Sequence, residues 1–452
     1  MINDDTIVAI ATANGIGSIS IVRLSGKDAL KIALQISKKE NLKTRYATLS
    51  KLYDKKDDLI DEALLIYFKN PNSFTGEDIV EFQCHGGITI SNLVLQSCIE
   101  YGARAATPGE FSKRAFLNNK IDLTQAMAIS KMIEARSEDA VKLLARQLKG
   151  ELKDFVEDIR KDLLFMLAYT EVNIDYAEED LPLDIYEQIM SKLEQITIKL
   201  TNTLESSKRR EGMIEGFKVA IIGKPNVGKS SLLNKLLNYN RAIVSNIAGT
   251  TRDTIEESVK IGTHIIKIVD TAGIREADDE IEKIGIEKSI QAIEESDIVV
   301  ALFDSSREFD KEDEKIVKML NDTNTNTNKE TIVLLTKSDL QKKLNTTNLT
   351  FNNTNLTLNT KEDITPFIKR VENILNQNTH SDDITLVSKN QVTEVQSALT
   401  HIKQSNTPLQ SGELEFFAFH INEALNNISN ITRPYEHTQM LDVMFGEFCL
   451  GK

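Results

Sequence analysis

The run Gly223-Lys-Pro-Asn-Val-Gly-Lys-Ser230 has the GxxxxGK[ST] spacing that wraps a phosphate chain in backbone N–H groups. Its glycines let the backbone approach an anion, and the helix that follows adds the positive end of its dipole. Asn226, Val227, Gly228 and Ser231 complete the cradle, Lys229 reaches the terminal phosphates, and the Ser230 hydroxyl suits Mg²⁺. The setting is right: an apolar, β-branched run (217–222) precedes the loop and a helical pattern (231–237) follows. About forty residues on, Asp270-Thr-Ala-Gly273 closes a second apolar run. An acid there holds Mg²⁺ through water, while Gly273, with Thr271 and Ala272 beside it, turns an N–H to the γ-phosphate. Between them lies Gly249-Thr-Thr-Arg-Asp253, with Thr251 as a second Mg²⁺ hydroxyl. Thr336-Lys-Ser-Asp339 follows a further buried run. A carboxylate at Asp339 accepts two hydrogen bonds from guanine and repels the edge of adenine, which makes the base guanine.

Four such elements in this order describe a Ras-like GTPase domain, with departures. Thr336 stands where Asn is usual and reaches less far; Lys337 and Ser338 keep the pattern. The last base-contacting element is not recognisable, and Asn359 and Thr360 occupy its place. Many such enzymes put Gln directly after the DxxG motif to handle water, but Ile274 stands here, and an apolar side chain cannot orient water. Glu282, on an amphipathic stretch with Ile281 and Ile284, is the best nearby acid, or else a solvated helix residue. Arg252 and Arg275 are close in sequence without forming an obvious arginine finger, so a monovalent cation is the other source of positive charge.

The elements that must position these residues show in the periodicity. Runs at 217–222, 265–269, 298–303 and 332–335 are short and nearly continuously apolar, as in a parallel sheet covered on both faces. Before them, 122–210 carries almost no Gly or Pro and repeats Leu152, Phe155, Ile159, Leu163 and Leu167 at helical spacing. After about Pro366 helical periodicity returns. Residues 1–118 are Gly-rich with strand-like runs at 19–23 and 63–68 and read as a small α/β domain. The expected fold class is multidomain α/β plus all-α. Its parts are an N-terminal domain (1–118), a discontinuous helical domain (119–212 and 377–452) and an inserted doubly wound P-loop domain (213–376). The Asn/Thr-rich runs 321–328 and 345–360 read as loops and polar surface.

Composition bounds the rest. The chain has 452 residues, 40% hydrophobic and 27% charged, enough for about two to four folded domains. Three cysteines (Cys84, Cys98, Cys449) build no disulfide framework and no zinc site of CxxC type, which points to a reducing, cytoplasmic setting. The acidic start lacks a signal-peptide pattern, and no run of eighteen apolar residues spans a membrane. A net charge of −14 excludes a general nucleic-acid coat, although Arg104, Lys113, Arg114 and Lys120 concentrate positive charge locally.

Further segments carry a family likeness: Pro71-Asn-Ser-Phe-Thr-Gly-Glu-Asp78, His85-Gly-Gly87, Pro108-Gly-Glu-Phe-Ser-Lys-Arg114, Lys120-Ile-Asp-Leu-Thr-Gln125 and the terminal Phe448-Cys-Leu-Gly-Lys452. Together with the P-loop, the sequence resembles the bacterial tRNA modification GTPases of the MnmE (TrmE) family over its whole length. The resemblance implies an N-terminal domain that binds a one-carbon tetrahydrofolate (5-formyl- or methylene-type) and forms a homodimer. It also implies a K⁺-dependent GTPase that works with the FAD-dependent MnmG (GidA) in a heterotetramer or larger complex. That complex adds an aminomethyl-type (carboxymethylaminomethyl) group at carbon 5 of the wobble uridine, position 34, of certain tRNAs. Carried over, Asn226, Ser245, Ile247 and Thr250 surround K⁺, and Asn246, Ala248 and Gly249 complete the nucleotide loop. Glu282 orients the water, and Arg23, Glu81, Lys120 and Lys452 contact folate. Cys449 is either a thiol in the modification chemistry or a small buried hydrophobe. Cys84 and Cys98 read as core; His85 either lines the folate pocket or shapes a turn. Met127 replaces the usual Glu, which removes one polar contact of the helical domain. Two other readings stay open: an RNA-associated GTPase switch without modification activity, and a folate-binding scaffold with a degenerate nucleotide domain.

Overall fold

A computed structural model of the chain describes residues 5–13, 15–135, 137–175, 183–239, 257–269, 290–327, 330–349, 355–357, 363–377, 384–433, 445, 446, 448 and 451. Its first elements are β1 (Ile7–Ile10), β2 (Ile19–Ser25), α1 (Ala29–Ser37), β3 (Thr48–Tyr53), β4 (Leu59–Phe68), β5 (Ile79–His85), α2 (Ile88–Glu100), β6 (Arg104–Ala105) and α3 (Glu110–Leu117). Four helices follow: α4 (Leu123–Glu134), α5 (Glu138–Leu148), α6 (Glu151–Asp175) and α7 (Leu183–Glu215). Next come β7 (Phe217–Gly223), α8 (Lys229–Tyr239), β8 (Glu257–Ile261), β9 (His264–Val269), β10 (Ile298–Asp304), α9 (Lys311–Thr327), β11 (Glu330–Thr336) and β12 (Asn355–Thr357). The chain closes with α10 (Thr365–Gln377), α11 (Lys389–Ser411) and α12 (Leu414–Thr432). It divides into two compact units, Met1–Ile133 with Arg146–Ile198 and Ser388–Lys452, and Glu134–Ala145 with Lys199–Val387.

In the first unit, six strands form a sheet of order β3-β4-β5-β2-β1-β6, antiparallel except at β1–β6. Alternation sorts its side chains. Val22, Leu24, Val80, Phe82 and Cys84 face α1 and α2 and pack with Ile32, Ile36, Val94 and Cys98. The opposite face carries Ile7 and Ala9, covered by Phe111 of α3, and Arg23 beside Glu81. Elsewhere on that face Ile19, Leu49 and Leu64 stay 59%, 58% and 39% exposed. The helical part of this unit builds a core from Ile159, Leu163 and Met166 of α6 with Phe417, Ile421, Ala424 and Ile428 of α12. Gln391, buried on α11, points its amide at the Met127 thioether (3.8 Å), so the missing carboxylate is replaced by a weak acceptor.

The second unit is a six-stranded sheet of order β12-β11-β10-β7-β9-β8, parallel apart from the β8–β9 hairpin. Helices cover both faces: α8 and α10 through Leu232, Leu236, Phe367, Val371 and Leu375, and α9 through Val317 and Leu320. Double coverage explains why every residue of β10 is buried and why the strands read as unbroken apolar runs. Two expectations need correction here. The run 321–328 is not wholly loop, because α9 continues through it to Thr327, carried by the apolar stripe of its earlier turns. Within 345–360, β12 adds a parallel edge strand to β11 and Leu349 is buried, so that stretch also completes the sheet.

Candidate functional site

Parallel register brings the carboxyl ends of β7, β10 and β11 to one edge of the second sheet. There Gly223 pairs with Leu302, and Asp304 pairs with Thr336. The phosphate loop leaves β7 at Gly223, whose φ of 153° and close approach tolerate no side chain: a Cβ would stand 2.7 Å from the Leu302 carbonyl oxygen. Asn226 takes the left-handed conformation (φ 59°) that Asn tolerates, and Gly228 follows at 112°. The loop then enters α8, where Leu232 N–H bonds Gly228 O at 3.0 Å, leaving the N–H groups of the first turn to an anion. Lys229 Nζ is held over the loop by the carbonyl oxygens of Gly223 and Lys224, and Ser230 is exposed on the first turn. This is a phosphate-binding nest with an ammonium beside it. Ser230 on the first turn of α8 and Asn226 in the loop are both exposed, and a hydroxyl and an amide oxygen are donors of the kind hard cations take.

The base-reading segment is joined to this loop. Thr336 is fully buried and its Oγ1 donates to Val227 O (2.6 Å), with Phe303 O 3.2 Å away, so it braces the phosphate loop. Lys337, at φ 55°, donates to the buried Asp304 carboxylate (2.6 Å). Burial pushes the Asp304 carboxyl up, but the bonds from Lys337 and Ser306 outweigh it and hold the group below the usual range. Ser338 and Asp339 stay exposed beyond it, accessible to a base.

Sequence reasoning missed two partners. Lys224, inside the loop, is 9% exposed and donates to Asp310 and Asp313 at 2.7 Å each, which ties the loop to the start of α9. Asp304 closes β10. Both belong to apolar or loop contexts, and only an acid ending a buried strand hinted at the second. Ser245, Asn246, Ile247, Ala248, Gly249, Thr250, Thr251, Asp270, Thr271, Ala272, Gly273, Glu282, Asn359, Thr360, Cys449 and Lys452 lie outside the described residues.

A second polar site lies in the first unit. Arg23 and Glu81 are cross-strand partners joined at 2.9 Å, with the rings of Phe74 and Phe111 at 6.0 and 5.8 Å from the guanidinium. Lys120 Nζ, exposed, donates to Pro71 O at 2.9 Å. The tail returns to this sheet: a Cβ on Gly451 would collide with the Ile10 carbonyl, and Phe448 packs on Phe445. A guanidinium, a carboxylate acceptor and flanking aromatic rings fit an aminopyrimidinone ring, and an ammonium fits a carboxylate tail. His85, 69% exposed, is not part of this set. Its Nδ1 and backbone N–H both meet the Asp61 carboxylate (2.7 and 2.9 Å), which shapes the end of β5. Cys84 and Cys98 are buried and unpaired, and burial raises the Cys84 thiol to about 12. Among the described residues no helix is long and apolar enough to cross a membrane.

Residues 6–120 match the family described as GTP-binding protein TrmE N-terminus, and residues 123–449 match the MnmE helical domain family. The tRNA modification GTPase MnmE of Aliarcobacter butzleri is 69% identical, with 100% of each chain covered. That of Sulfurimonas denitrificans is 58% identical, again with 100% of each covered. A solved structure of Aquifex aeolicus Era bound to GDP and AlF4⁻ is 25% identical at a TM-score of 0.27, covering 41% of this chain and 66% of that one. Matched from end to end by such relatives, the chain belongs to the MnmE family of tRNA modification GTPases.

Proposed function

We propose that this GTPase drives modification of the wobble uridine of certain tRNAs, together with the flavoprotein MnmG, by a K⁺-dependent hydrolysis cycle. The observation that carries the reading is the phosphate loop 223–230 at the strand edge it shares with Thr336 and Asp339, in a chain of MnmE family membership. The loop N–H groups and Lys229 bind the phosphates, Asp339 selects guanine, and Glu282 orients the water. Mg²⁺ on Ser230 and Thr251, and K⁺ among Asn226, Ser245, Ile247 and Thr250, supply positive charge to the phosphates when bound. Cys449 is the candidate thiol for the modification chemistry, the alternative being a small hydrophobe, and the chain is assigned to the cytoplasm. The domain division is 1–118, 119–212 with 377–452, and 213–376.

Arg23 and Glu81 of the first domain, with Lys120 and Lys452 of the helical domain, hold the one-carbon tetrahydrofolate. The uncovered sheet face around Ile19, Leu49 and Leu64 supports a homodimer, since so much exposed apolar surface on one face wants a partner. The test is GTP turnover across monovalent cations, with and without the flavoprotein, paired with nucleoside analysis of a deletion strain. Turnover in K⁺ but not Na⁺, and loss of the modified wobble uridine, are expected. Intact modification in the deletion strain would leave only a regulatory GTPase switch.

A further inference from the structure

We propose that Lys224 is a positioning residue for the phosphate lysine, Lys229. Its side chain and its backbone act at opposite ends of one residue. At the tip, Nζ donates to Asp310 Oδ2 and Asp313 Oδ2 at 2.7 Å each, and only 9% of the side chain is exposed. At the base, the Lys224 carbonyl oxygen accepts from Lys229 Nζ at 3.1 Å and from Val227 N–H at 3.4 Å. The Gly223 carbonyl is the second oxygen against that ammonium. Lys229 therefore rests on a backbone perch whose place is set by an anchored side chain.

The anchor is itself fixed. Asp310 Oδ1 accepts from Glu312 N–H (2.9 Å) and Asp313 N–H (3.2 Å), while Asp313 Oδ2 accepts from Asp310 N–H (3.2 Å). This is a reciprocal capping box at the start of α9, and it orients both carboxylates. Behind it, Val317 and Leu320 share a core with Ala301 and Phe303 of β10, which holds the helix to the sheet. A cation at the positive end of a helix dipole is unfavourable in itself, so the two carboxylates must offset that before Lys224 can sit there. A solvated lysine would tether nothing, because a mobile four-carbon stem transmits no position. Groups that meet a reacting phosphate have to be held to within about 0.5 Å by neighbours that are themselves locked. Lys224 brings that support from α9, separately from the Thr336 bond to Val227 O.

The inference rests on Lys229 meeting the phosphates, and the experiment separates the two claims. The full chain, with Mg²⁺ and K⁺, is assayed for GTP and GDP affinity, for preference of GTP over XTP, and for the single-turnover rate at saturating GTP. Lys224→Gln should lose about tenfold or more in affinity and in single-turnover rate. Its preference for GTP over XTP should stay parental, because Asp339 is untouched. Lys224→Arg, which can still donate to both carboxylates, should recover most of both losses. Where Lys224→Gln folds poorly, Lys224→Gln combined with Asp313→Asn removes the stranded carboxylate along with the cation and makes the same test. A parental rate at saturation in the folded variant would overturn the role, leaving Lys224 a purely structural tie. A lost base preference would overturn it too, since the whole nucleotide edge would then have loosened. Lys229→Ala, run alongside, should lose more than Lys224→Gln in both quantities. Parental values in Lys229→Ala would overturn the phosphate reading of the loop itself.

Discussion

Thr336 Oγ1 donates to the Val227 carbonyl oxygen at 2.6 Å, so the residue that ends β11 braces the loop that leaves β7. The same hydroxyl lies 3.2 Å from Phe303 O at the end of β10. One short side chain thereby couples three parallel strands at the nucleotide edge. Thr336→Val keeps the shape and removes the hydroxyl, leaving buried carbonyls without that donor. The second unit should lose about 1–3 kcal/mol of stability, and GDP affinity should fall in the same variant. Urea denaturation with a parallel GDP titration checks both; an unchanged midpoint and affinity would refute the brace.

Lys224 and Asp313 test the other tie on this loop. Both are nearly inaccessible, at 9% and 4%, so removing the cation strands a buried carboxylate. Lys224→Met should destabilise the unit by about 3 kcal/mol, whereas a surface lysine substitution would be close to neutral. Burial pushes the Lys224 ammonium down, but its bonds to Asp310 and Asp313 outweigh that and hold it above its ordinary value of 10.5. A raised cation contributes fully below 10.5 and is lost only as pH climbs past its folded value. For Asp310, the bond from Lys224 holds the carboxyl below 3.8, so its share is lost only in acid below that point. Stability measured from neutral pH upward should therefore stay flat until beyond 10.5 as far as this pair is concerned. A loss beginning near neutrality in the parent, absent in Lys224→Met, would contradict it.

Much of this was legible because burial on both faces writes itself into sequence. The runs at 217–222 and 298–303 became β7 and β10 within one residue at each end. The run at 63–68 is the last six residues of β4, whose first four residues include no buried side chain and so read weakly. What stayed hidden were relations set by tertiary contact. Nothing local marks Thr336 as a brace, since its partner Val227 is 109 residues away in sequence. The charge cluster at Arg104 and Arg114 looked available for the same reason: Asp5 and Glu77, which neutralise Arg114, are distant in sequence. Helix α9 ran on through Asn/Thr repeats because its earlier apolar stripe, and not propensity, fixes it to the sheet.

That neutralised cluster has a pH signature of its own. Burial pushes Asp5 up, but hydrogen bonds from Arg104 and Arg114 prevail and hold it below 3.8. Glu110 follows the same balance, with burial opposed by Arg104 and by the Thr107 N–H, and sits below 4.5. Carboxylates with lowered folded values bind fewer protons folded than unfolded, so they stabilise above their unfolded values and lose that contribution as pH falls. The first unit should weaken as pH drops from about 4.5 through 3.8 and below. Arg114→Met should cost about 3 kcal/mol at neutral pH and flatten this acid window. Equal acid sensitivity in parent and variant would mean the cluster adds nothing to folding.

Asp339 is the residue on which base identity turns. It is exposed just past β11, behind a lysine whose ammonium is fixed by Asp304 at 2.6 Å, so the segment is anchored while its carboxylate stays open. A carboxylate there is matched to the two N–H donors on one edge of guanine. Asp339→Asn replaces one acceptor with a donor, which suits the additional carbonyl of xanthine. GTP binding should weaken by about 1.5–3 kcal/mol, roughly ten- to a hundredfold, while XTP binding strengthens. Because Lys229 and the phosphate loop are untouched, turnover with saturating XTP should recover most of the GTP rate of the parent. Competition between GTP and XTP against a labelled nucleotide measures the switch. If GTP still wins by the parental margin, Asp339 does not read the base.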